Sequence, residues 1–276
     1  MPRTLSAATV EQYERTGVCF PIRVMTEAES RLLRTRLEAA ERGLGGAITG
    51  NLRHKSHLVF TWLDELVRLP AILDAVEDLI GPDILVWNSN LFVKNARDPS
   101  FVSWHQDSTY WGLSEPAAVT AWVAFSPSTR ESGCLQVSAG THLAAQLPHD
   151  DNPTANNLLT RGQEIAVTID PKTVVDVVLA PGEMSVHHVR AAHGSEPNRS
   201  DDRRIGFAIR YIPTRVRQNA GRDFATLVRG RDMYGHFEPE PRPKADLDAE
   251  AVAAHAEIMR VHTDTLLRGS SRQALR

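Results

Sequence analysis

The sequence predicts an α+β domain in which N-terminal helices pack on an antiparallel β barrel or sandwich. Two observations support this fold class. Apolar residues recur at helical spacing over much of residues 1–82. Over about 83–215 the chain changes to short runs of β-branched and aromatic residues separated by turn residues. Residues from about 216–276 form a C-terminal extension, and we expect one domain over 1–276.

The first helices are indicated by spacing and by capping residues. Residues 7–16 predict a short helix, and the apolar run VCFPIRV after it predicts a strand. Thr26 is followed three residues later by Glu29, which is the pattern of a capping box. The helix that it opens extends over about 26–43.

A glycine-rich segment separates this helix from the next one. The run GLGGAITGN at 43–51 has the glycines of a phosphate loop but lacks its Gly-Lys-Ser/Thr ending, so we interpret it as a loop. Residues 62–80 predict a helix that is interrupted at Pro70 and ends before Gly81 and Pro82.

Eight short strand-like runs follow, and a helix closes the chain. The runs are DILVWNSNLFVKN, FVSWHQDSTYW, AVTAWVAFS, CLQVSAG, EIAVTI, VVDVVLA, EMSVHHV and RIGFAIRYIP. After the proline-rich linker FEPEPRPK, residues of about 248–268 predict a terminal helix. That helix could pack within the chain or across a homodimer interface.

Composition excludes several classes of function. The net charge of −3 argues against a nucleic-acid binder or an anionic-membrane binder, which normally carry a basic excess. No run approaches the roughly 18–20 apolar residues that span a bilayer, and no signal peptide is visible. The two cysteines lack metal-site spacing. We therefore expect a soluble, cytoplasmic protein that binds a small molecule.

Two polar clusters carry the chemistry. In VSWHQDSTYW, His105 and Asp107 are two residues apart, so a strand would point both to the same side. A second cluster contains His193, followed by the pair Arg203 and Arg204. Two histidines and one carboxylate leave three positions open on an octahedral ion, which suits Fe(II) reacting with oxygen and a chelating co-substrate. The same ligands also accept zinc or manganese.

These motifs resemble one family. WHQD at 104–107, GCLQVSAGTH at 133–142 and HGSEPNRSDDRR at 193–204 resemble the phytanoyl-CoA dioxygenase family of Fe(II)/2-oxoglutarate-dependent oxygenases. The resemblance covers about 10–215. It implies a double-stranded β-helix, which is a jelly-roll, cupin-like barrel. It also implies hydroxylation of an unactivated C–H of a small molecule, while 2-oxoglutarate and O₂ yield succinate and CO₂.

The resemblance assigns the metal ligands. It implies that His105, Asp107 and His193 bind Fe(II). Asp107 also bears on the reaction, because the halogenases of this family have a small residue at the corresponding position. A carboxylate here therefore favours hydroxylation, although desaturation and ring closure by the same oxidant stay open.

The resemblance also assigns residues to 2-oxoglutarate. Arg204, eleven residues after His193, matches the arginine that holds the distal carboxylate. A guanidinium can meet a carboxylate bidentately, which a lysine does less well. Ser195 resembles the serine that assists this carboxylate. Arg203 is the alternative to Arg204, since a slip of one residue reverses the face of a strand.

Two further strands offer cavity residues by their period of two. Asn88 and Asn90 share one face, and the family places this strand along the cavity, so both are candidates for contacts to co-substrate or substrate. The alternative for them is solvent exposure. Thr120 and Trp122 also share a face, on a strand where the family places contacts to 2-oxoglutarate.

Other residues have weaker support. Tyr110 and Trp111 could cover the substrate, although packing is the more common role of aromatic residues at a barrel mouth. His188 is a candidate to line the site, and His187 is expected on the opposite face. The segment NLRHKSH at 51–57 could form a cationic substrate lid, but we favour a solvated loop.

Two alternatives to an oxygenase remain at this point. One is a non-catalytic barrel that binds a metal or a ligand without turnover. The other is a cupin-type metal hydrolase or isomerase, in which Arg204 and Ser195 would have no role. Substrate identity is left open, but no basic cluster suited to the 3′-phosphate of coenzyme A is visible.

Overall fold

Helices form much of the N-terminal region, as the apolar spacing predicts. The computed structural model describes residues 4–151, 154–159 and 162–266. The first elements in chain order are α1 (Ala7–Thr16), β1 (Val18–Arg23), α2 (Glu27–Leu44), α3 (Thr61–Val67) and α4 (Pro70–Ile80).

Local signals define two helix starts. Thr26 accepts a hydrogen bond from the backbone of Glu29, whose side chain accepts one from the backbone of Thr26, so the predicted capping box opens α2. The predicted helix over 62–80 is instead two helices. Pro70 occupies the first turn of α4, where its missing N–H costs no intrahelical hydrogen bond, and it therefore starts a helix rather than kinking one.

Strands dominate the rest of the chain. They are β2 (Ile84–Lys94), β3 (Val102–His105), β4 (Val119–Ala124), β5 (Leu135–Ser138), β6 (His149–Asp151), β7 (Gln163–Ile165), β8 (Val174–Val177), β9 (Glu183–His188), β10 (Ala192–Ser195), β11 (Arg204–Pro213), β12 (Phe224–Arg229) and β13 (Glu238–Pro239). Two helices complete the set, α5 (Ser108–Trp111) and α6 (Ala249–Leu266).

The strands form two principal sheets. The main sheet has the order β1-β9-β4-β11-β2-β12-β13, and the minor sheet has the order β3-β10-β5-β8. Pairing is antiparallel throughout both sheets except between β12 and β13. Strands β6 and β7 pair separately. The architecture is therefore mixed α+β, as predicted.

Strand β11 shows how the main sheet divides its two faces. Ile205, Phe207, Ile209 and Tyr211 point to one side and pack with the helices in a single apolar cluster. Each buried side chain of this size stabilises the fold by about 1.5–3 kcal/mol relative to exposure. The alternate residues of β11 point to the other side, toward the minor sheet, and include Arg204.

The second half of the segment 51–57 is buried, at Lys55, Ser56 and His57, so the preferred interpretation as a solvated loop is wrong. Lys55 is 0% exposed, and its Nζ donates to the carbonyl oxygens of Trp87, at 2.6 Å, and of Phe224, at 3.0 Å. Its charge is matched by Glu240. The physical reason is that these acceptors satisfy the ammonium group away from water.

The C-terminal helix is close to its predicted position, and its last predicted residues, 267 and 268, lie outside the described part. Within the ranges that the structure describes, no helix has both the length and the apolar character that crossing a bilayer requires.

Candidate metal centre and its two cavities

Three side chains predicted as metal ligands come together between the two sheets. His105 and His193 are directly opposite each other on β3 and β10, and their ring centroids are 4.1 Å apart. Asp107 lies in the turn that follows β3. One ligand atom from each of the three lies within 4.8 Å of the others, and all three side chains are buried.

Backbone carbonyls fix the orientation of both imidazoles. Nδ1 of His105 lies 2.9 Å from the carbonyl oxygen of Ser103, and Nδ1 of His193 lies 2.9 Å from that of Ala191. A carbonyl can only accept, so Nδ1 is the protonated nitrogen in each ring. Nε2 therefore keeps its lone pair, which is the arrangement of metal-bound histidines.

The electrostatics of the cluster suit a cation. Burial lowers the pKa of His193 well below its usual range, so the ring is a neutral ligand. Burial acts to raise the Asp107 pKa, but interactions with the His105 side chain and with the positive charge of Arg210 outweigh it and lower that pKa. Within the described part of the chain, Oδ2 of Asp107 is buried without a hydrogen-bond partner, although an ionised oxygen in that position requires one. A bound metal ion would satisfy this atom.

Gln106, between His105 and Asp107, stabilises the turn that follows β3. The side chain of Gln106 points away from the cluster, as expected for a residue between them. Its Nε2 donates to the carbonyl oxygen of Arg190 at 2.6 Å, and its Oε1 accepts from the backbone of Leu147 at 2.8 Å.

An inner cavity adjoins the cluster and is lined from both sheets. Thr120 and Trp122 line it from β4, as the shared face predicts, and Ser195 and Arg204 line it as well. Oγ1 of Thr120 is buried and has no hydrogen-bond partner in the described part of the chain.

Arg204 is a buried cation without an internal partner. It is 2% exposed, and its guanidinium has no hydrogen-bond partner among the described residues. Its Cζ lies 5.2 Å from the centroid of the Trp122 ring, so the guanidinium packs over a π face. Burial lowers its pKa to about 10, so it stays charged at neutral pH. A buried charge of this kind indicates an anionic ligand.

The alternative arginine points outward. Both terminal nitrogens of Arg203 donate to the carboxylate of Glu41 at 2.8 Å, on the surface beside α2. Arg204 therefore lies in the cavity and Arg203 does not.

Lys94 was not predicted as a site residue, but it orients Ser195. Its Nζ donates to Oγ of Ser195 at 2.7 Å, so the hydroxyl hydrogen of Ser195 is free to donate elsewhere. Burial and the charge of Arg204 lower the Lys94 pKa to about 6. The alternation of β2, which places Lys94 on the face of the two asparagines, was the available signal.

Trp122 requires a glycine on the neighbouring strand. A Cβ at Gly206 would lie 1.8 Å from Cζ2 of Trp122, and Trp122 in turn supports Arg204. We expect Gly206→Ala to lower the free energy of unfolding by about 1–3 kcal/mol, as overpacking does, and to weaken 2-oxoglutarate binding. Urea unfolding and a 2-oxoglutarate titration measure both effects. Gly43→Ala, in open space on α2, is the control, and equal behaviour of the two variants would contradict the prediction.

His187, rather than His188, lines the inner cavity. His187 lies opposite Thr120 in the register of β9 and β4, and its ring centroid is 4.7 Å from that of His193. His188 packs on the other side, with its ring centroid 6.4 Å from that of Tyr13. The predicted faces of the two histidines are therefore reversed, because the sequence alone does not specify the register of β9.

Three histidines with lowered pKa values, one buried and two half-buried, predict a pH dependence of stability. Mainly through burial, the pKa is lowered to about 4 for His187 and His188, and to about 3 for His54. Unfolded histidine titrates near 6.5, so the unfolded chain binds more protons below that pH. Stability is full above about pH 6.5 and falls toward pH 4, by up to about 1.4 kcal/mol per pH unit and histidine.

Urea unfolding of chelator-treated protein at about pH 7.5 and about pH 5 measures this loss. His188→Gln should reduce the dependence of the unfolding free energy on pH, because the glutamine side chain does not titrate in this range. The prediction would be contradicted if the unfolding free energy rose on acidification. It would also be contradicted if His188→Gln showed the same pH dependence of that free energy as the unchanged protein.

A larger outer cavity adjoins the inner one, and Phe92 and Arg210 line both. It encloses about 180 Å³, against about 40 Å³ for the inner cavity, and Asp107 lies at its edge. Asn88 and Asn90 line it and are 7% and 4% exposed, which excludes the alternative of solvent exposure. Trp111 lines it and also packs on Trp87, at a centroid distance of 4.8 Å. The side chain of Tyr110 lies outside what the structure describes.

Sequence reasoning missed the arginines and histidines that line this outer cavity. They are Arg53, His54, Arg210 and His262. Arg53 and His54 belong to the segment that was interpreted as solvated. Arg210 shares its face with Arg204 by the period of β11, which was an available signal.

The terminal helix closes the outer cavity. Residues of α6 line it, and His262 anchors the helix, because its Nδ1 donates to Asp223 at 3.1 Å and its Nε2 accepts from Asn88 at 3.2 Å. No sequence pattern pointed to this role.

Known proteins share this fold and parts of this sequence. A family model described as phytanoyl-CoA dioxygenase (PhyH) matches residues 4–206. A solved structure described as "non-heme monooxygenase; ThoJ apo" is 39% identical, with a TM-score of 0.84 over 94% of this chain and 98% of that one. Another, "CytC3 with Fe(II) and alpha-ketoglutarate", is 27% identical, with a TM-score of 0.66 over 90% of this chain and 97% of that one.

A curated relative is the probable alpha-ketoglutarate-dependent hypophosphite dioxygenase of Stutzerimonas stutzeri, which is 29% identical over 187 residues. The match covers 66% of this chain and 60% of that relative's length. The relatives thus agree with the family model, which spans well over half of the residues. The chain belongs to the phytanoyl-CoA dioxygenase family of Fe(II)/2-oxoglutarate-dependent oxygenases.

Proposed function

We propose that the protein is an Fe(II)- and 2-oxoglutarate-dependent dioxygenase that hydroxylates an unactivated C–H of a small molecule. The single observation that carries this proposal is the position of Arg204. Among the residues that the structure describes, it is a buried cation without a partner, in a small cavity lined also by His105 and His193 of the metal cluster. A metal hydrolase or isomerase would leave this guanidinium without a role.

The three ligands of the proposed metal are His105, Asp107 and His193. The preset Nε2 lone pairs and the unpartnered Oδ2 of Asp107 fit a divalent cation. Two imidazoles and one carboxylate on one face are the facial triad of non-heme Fe(II) oxygenases. When bound, Fe(II) supplies the activation of O₂ that couples conversion of 2-oxoglutarate to succinate and CO₂ with oxidation of the substrate.

The protein's own role would be to position 2-oxoglutarate and to exclude water from the inner cavity. Arg204 would bind the distal carboxylate of 2-oxoglutarate bidentately, and the free hydroxyl hydrogen of Ser195 would donate to the same group. Trp122 supports the guanidinium from below. The co-substrate then extends from Arg204 toward the metal ligands, inside a cavity closed by both sheets.

The fold of the β region supports a finer assignment. The cavity is lined by residues of the main sheet and of the minor sheet, so the two antiparallel sheets face each other across it. We propose that this is the jelly-roll barrel, or double-stranded β-helix, that the family resemblance implies.

Hydroxylation is proposed over halogenation because of Asp107. Its carboxylate occupies the third ligand position, where a halide would require a small residue. The substrate is proposed to bind in the outer cavity, which is the larger of the two and is lined in part by Asp107.

Anaerobic absorption spectroscopy tests the proposal. Addition of 2-oxoglutarate to the Fe(II)-loaded protein should produce the weak visible charge-transfer band of a 2-oxoglutarate–iron chelate. Admission of air in the presence of a library of candidate substrates should then convert 2-oxoglutarate to succinate, coupled to hydroxylation of one library member. His193→Ala, which lacks a ligand, should show neither the band nor succinate.

Two outcomes would contradict the proposed oxygenase activity. A non-catalytic barrel would show the band without succinate for any member of a substrate library. Full activity of Arg204→Ala in a hydrolase or isomerase assay, with no band in the unchanged protein, would contradict the oxygenase assignment.

A further inference from the structure

One wall of the outer cavity is formed by a line of four polar side chains. A terminal nitrogen of Arg210 donates to Oδ1 of Asn90, and Nδ2 of Asn90 faces Nδ1 of His54. Nε of Arg53 lies 3.2 Å from Nε2 of His54 and is directed at it. The line therefore begins and ends with an arginine, and all four side chains border the cavity.

This line contains one donor too many. Its three contacts require three acceptors, but arginine has none, and one amide and one neutral imidazole supply two. One contact therefore sets two donors against each other, whichever His54 tautomer or Asn90 orientation is chosen. Protonation of His54 would add a further donor, and burial lowers its pKa to about 3.

The same wall also has unmatched positive charge. Nε of Arg210 is buried and has no hydrogen-bond partner in the described ranges, and Arg53 donates to a neutral carbonyl oxygen, that of Leu158, at 2.7 Å. Among the residues that the structure describes, neither arginine forms a salt bridge. The carboxylate lining the cavity within that part is Asp107, whose charge the proposed metal would compensate.

We propose that the primary substrate carries an anionic group, a carboxylate or a phosphorus oxyanion, that binds between Arg53 and Arg210. The anion would accept a hydrogen bond from the surplus donor, and its negative charge would compensate the two guanidinium charges. The proposal rests on the proposed function, since it identifies the class of substrate for the same site.

The remainder of the substrate is expected to be apolar. The other cavity walls include Phe92, Leu158, Leu159 and Met259. The guanidinium of Arg210 also lies 5.8 Å from the ring centroids of Phe92 and Trp111, so the charged and apolar surfaces meet beside it. An acid with a short hydrocarbon chain matches both surfaces.

A matched series of probes tests this class. Hexanoate, hexylphosphonate and hexanamide share one chain and differ in the charge of the head group. Each is titrated anaerobically into the protein loaded with Fe(II) and 2-oxoglutarate, and calorimetry measures its Kd. We expect at least one anion to bind about 10- to 100-fold more tightly than the amide, as charge-assisted hydrogen bonds predict. The two anions separate a carboxylate site from a phosphonate site.

Substitutions then locate the anion. Arg53→Gln and Arg210→Gln should each remove most of the preference for the acid over the amide. Arg31→Gln is the matched control, because Arg31 is an exposed arginine of α2 that pairs with Glu27. Arg53 lines the outer cavity and not the inner one, so Arg53→Gln should also keep the charge-transfer band, which a general structural defect would weaken.

The contradicting outcomes are separate from those of the proposed function. Equal Kd values for acid and amide, binding of none of the three probes, or a preference retained in both variants would overturn the anionic substrate. Failure of the proposed function would appear earlier, as a missing charge-transfer band before any probe is added.

Discussion

Arg204→Met is expected to raise the Kd for 2-oxoglutarate by about 100-fold, which corresponds to ~2.7 kcal/mol. The guanidinium is buried and has no partner within the described part of the chain, so its interaction with a carboxylate would be weakly screened. Arg204→Lys should be intermediate, because an ammonium group cannot reproduce the bidentate geometry. Anaerobic titration of the charge-transfer band measures the affinity.

The neighbouring residue supplies the control for this substitution. Arg203 precedes Arg204 directly but pairs with Glu41 on the surface, so Arg203→Met should leave the affinity for 2-oxoglutarate unchanged. Arg204→Met should also raise the stability of the ligand-free protein by about 1–3 kcal/mol, because it removes a buried charge without a partner. Unchanged 2-oxoglutarate affinity in Arg204→Met would refute the assigned role.

Asp107→Ala is expected to lower Fe(II) affinity by at least about 100-fold, since even loss of an outer-shell partner of a metal ligand costs 10–100-fold. Asp107 supplies the one anionic ligand, and its unpartnered Oδ2 has no other role in the described structure. Turnover of 2-oxoglutarate should fall with occupancy. Anaerobic equilibrium dialysis measures the metal affinity directly.

Asp223→Ala is the matched control for this second substitution. Asp223 is, like Asp107, a buried carboxylate beside a histidine, but its neighbour is His262 on α6, whose Nδ1 donates to it. We expect Asp223→Ala to disturb the outer cavity while it retains Fe(II) affinity. Equal metal affinities of Asp107→Ala and the unchanged protein would show that the ion binds elsewhere.

The sequence predicts the centre of the site better than its edges. His105, Asp107 and His193 occur in motifs whose spacing is local, and the distance between two such motifs is set by a single pairing of β3 with β10. Asn88 and Asn90 follow from strand alternation alone, because both point to the same side of β2 whatever its neighbours are.

Residues whose position depends on strand register are harder to predict from the sequence. His187 and His188 are adjacent, so alternation places them on opposite faces but does not say which one points inward. The answer comes from the pairing of His187 with Thr120, whose side chain lines the inner cavity.

The walls of the outer cavity depend on contacts that are distant in sequence. Arg53 and His54 are held there by neighbouring Lys55, which is buried against backbone carbonyls and Glu240. His262 lies there because α6 packs across the opening. Neither arrangement leaves a periodic pattern in the sequence, because single side-chain contacts, rather than the alternation of a strand, produce each of them.

The most direct test of the account is an anaerobic crystal structure of the protein with Fe(II) and 2-oxoglutarate. The account predicts a metal ion bound by His105, Asp107 and His193, and a distal carboxylate of 2-oxoglutarate paired with Arg204. A metal ion at other residues, or a 2-oxoglutarate carboxylate that leaves Arg204 unpaired, would contradict it.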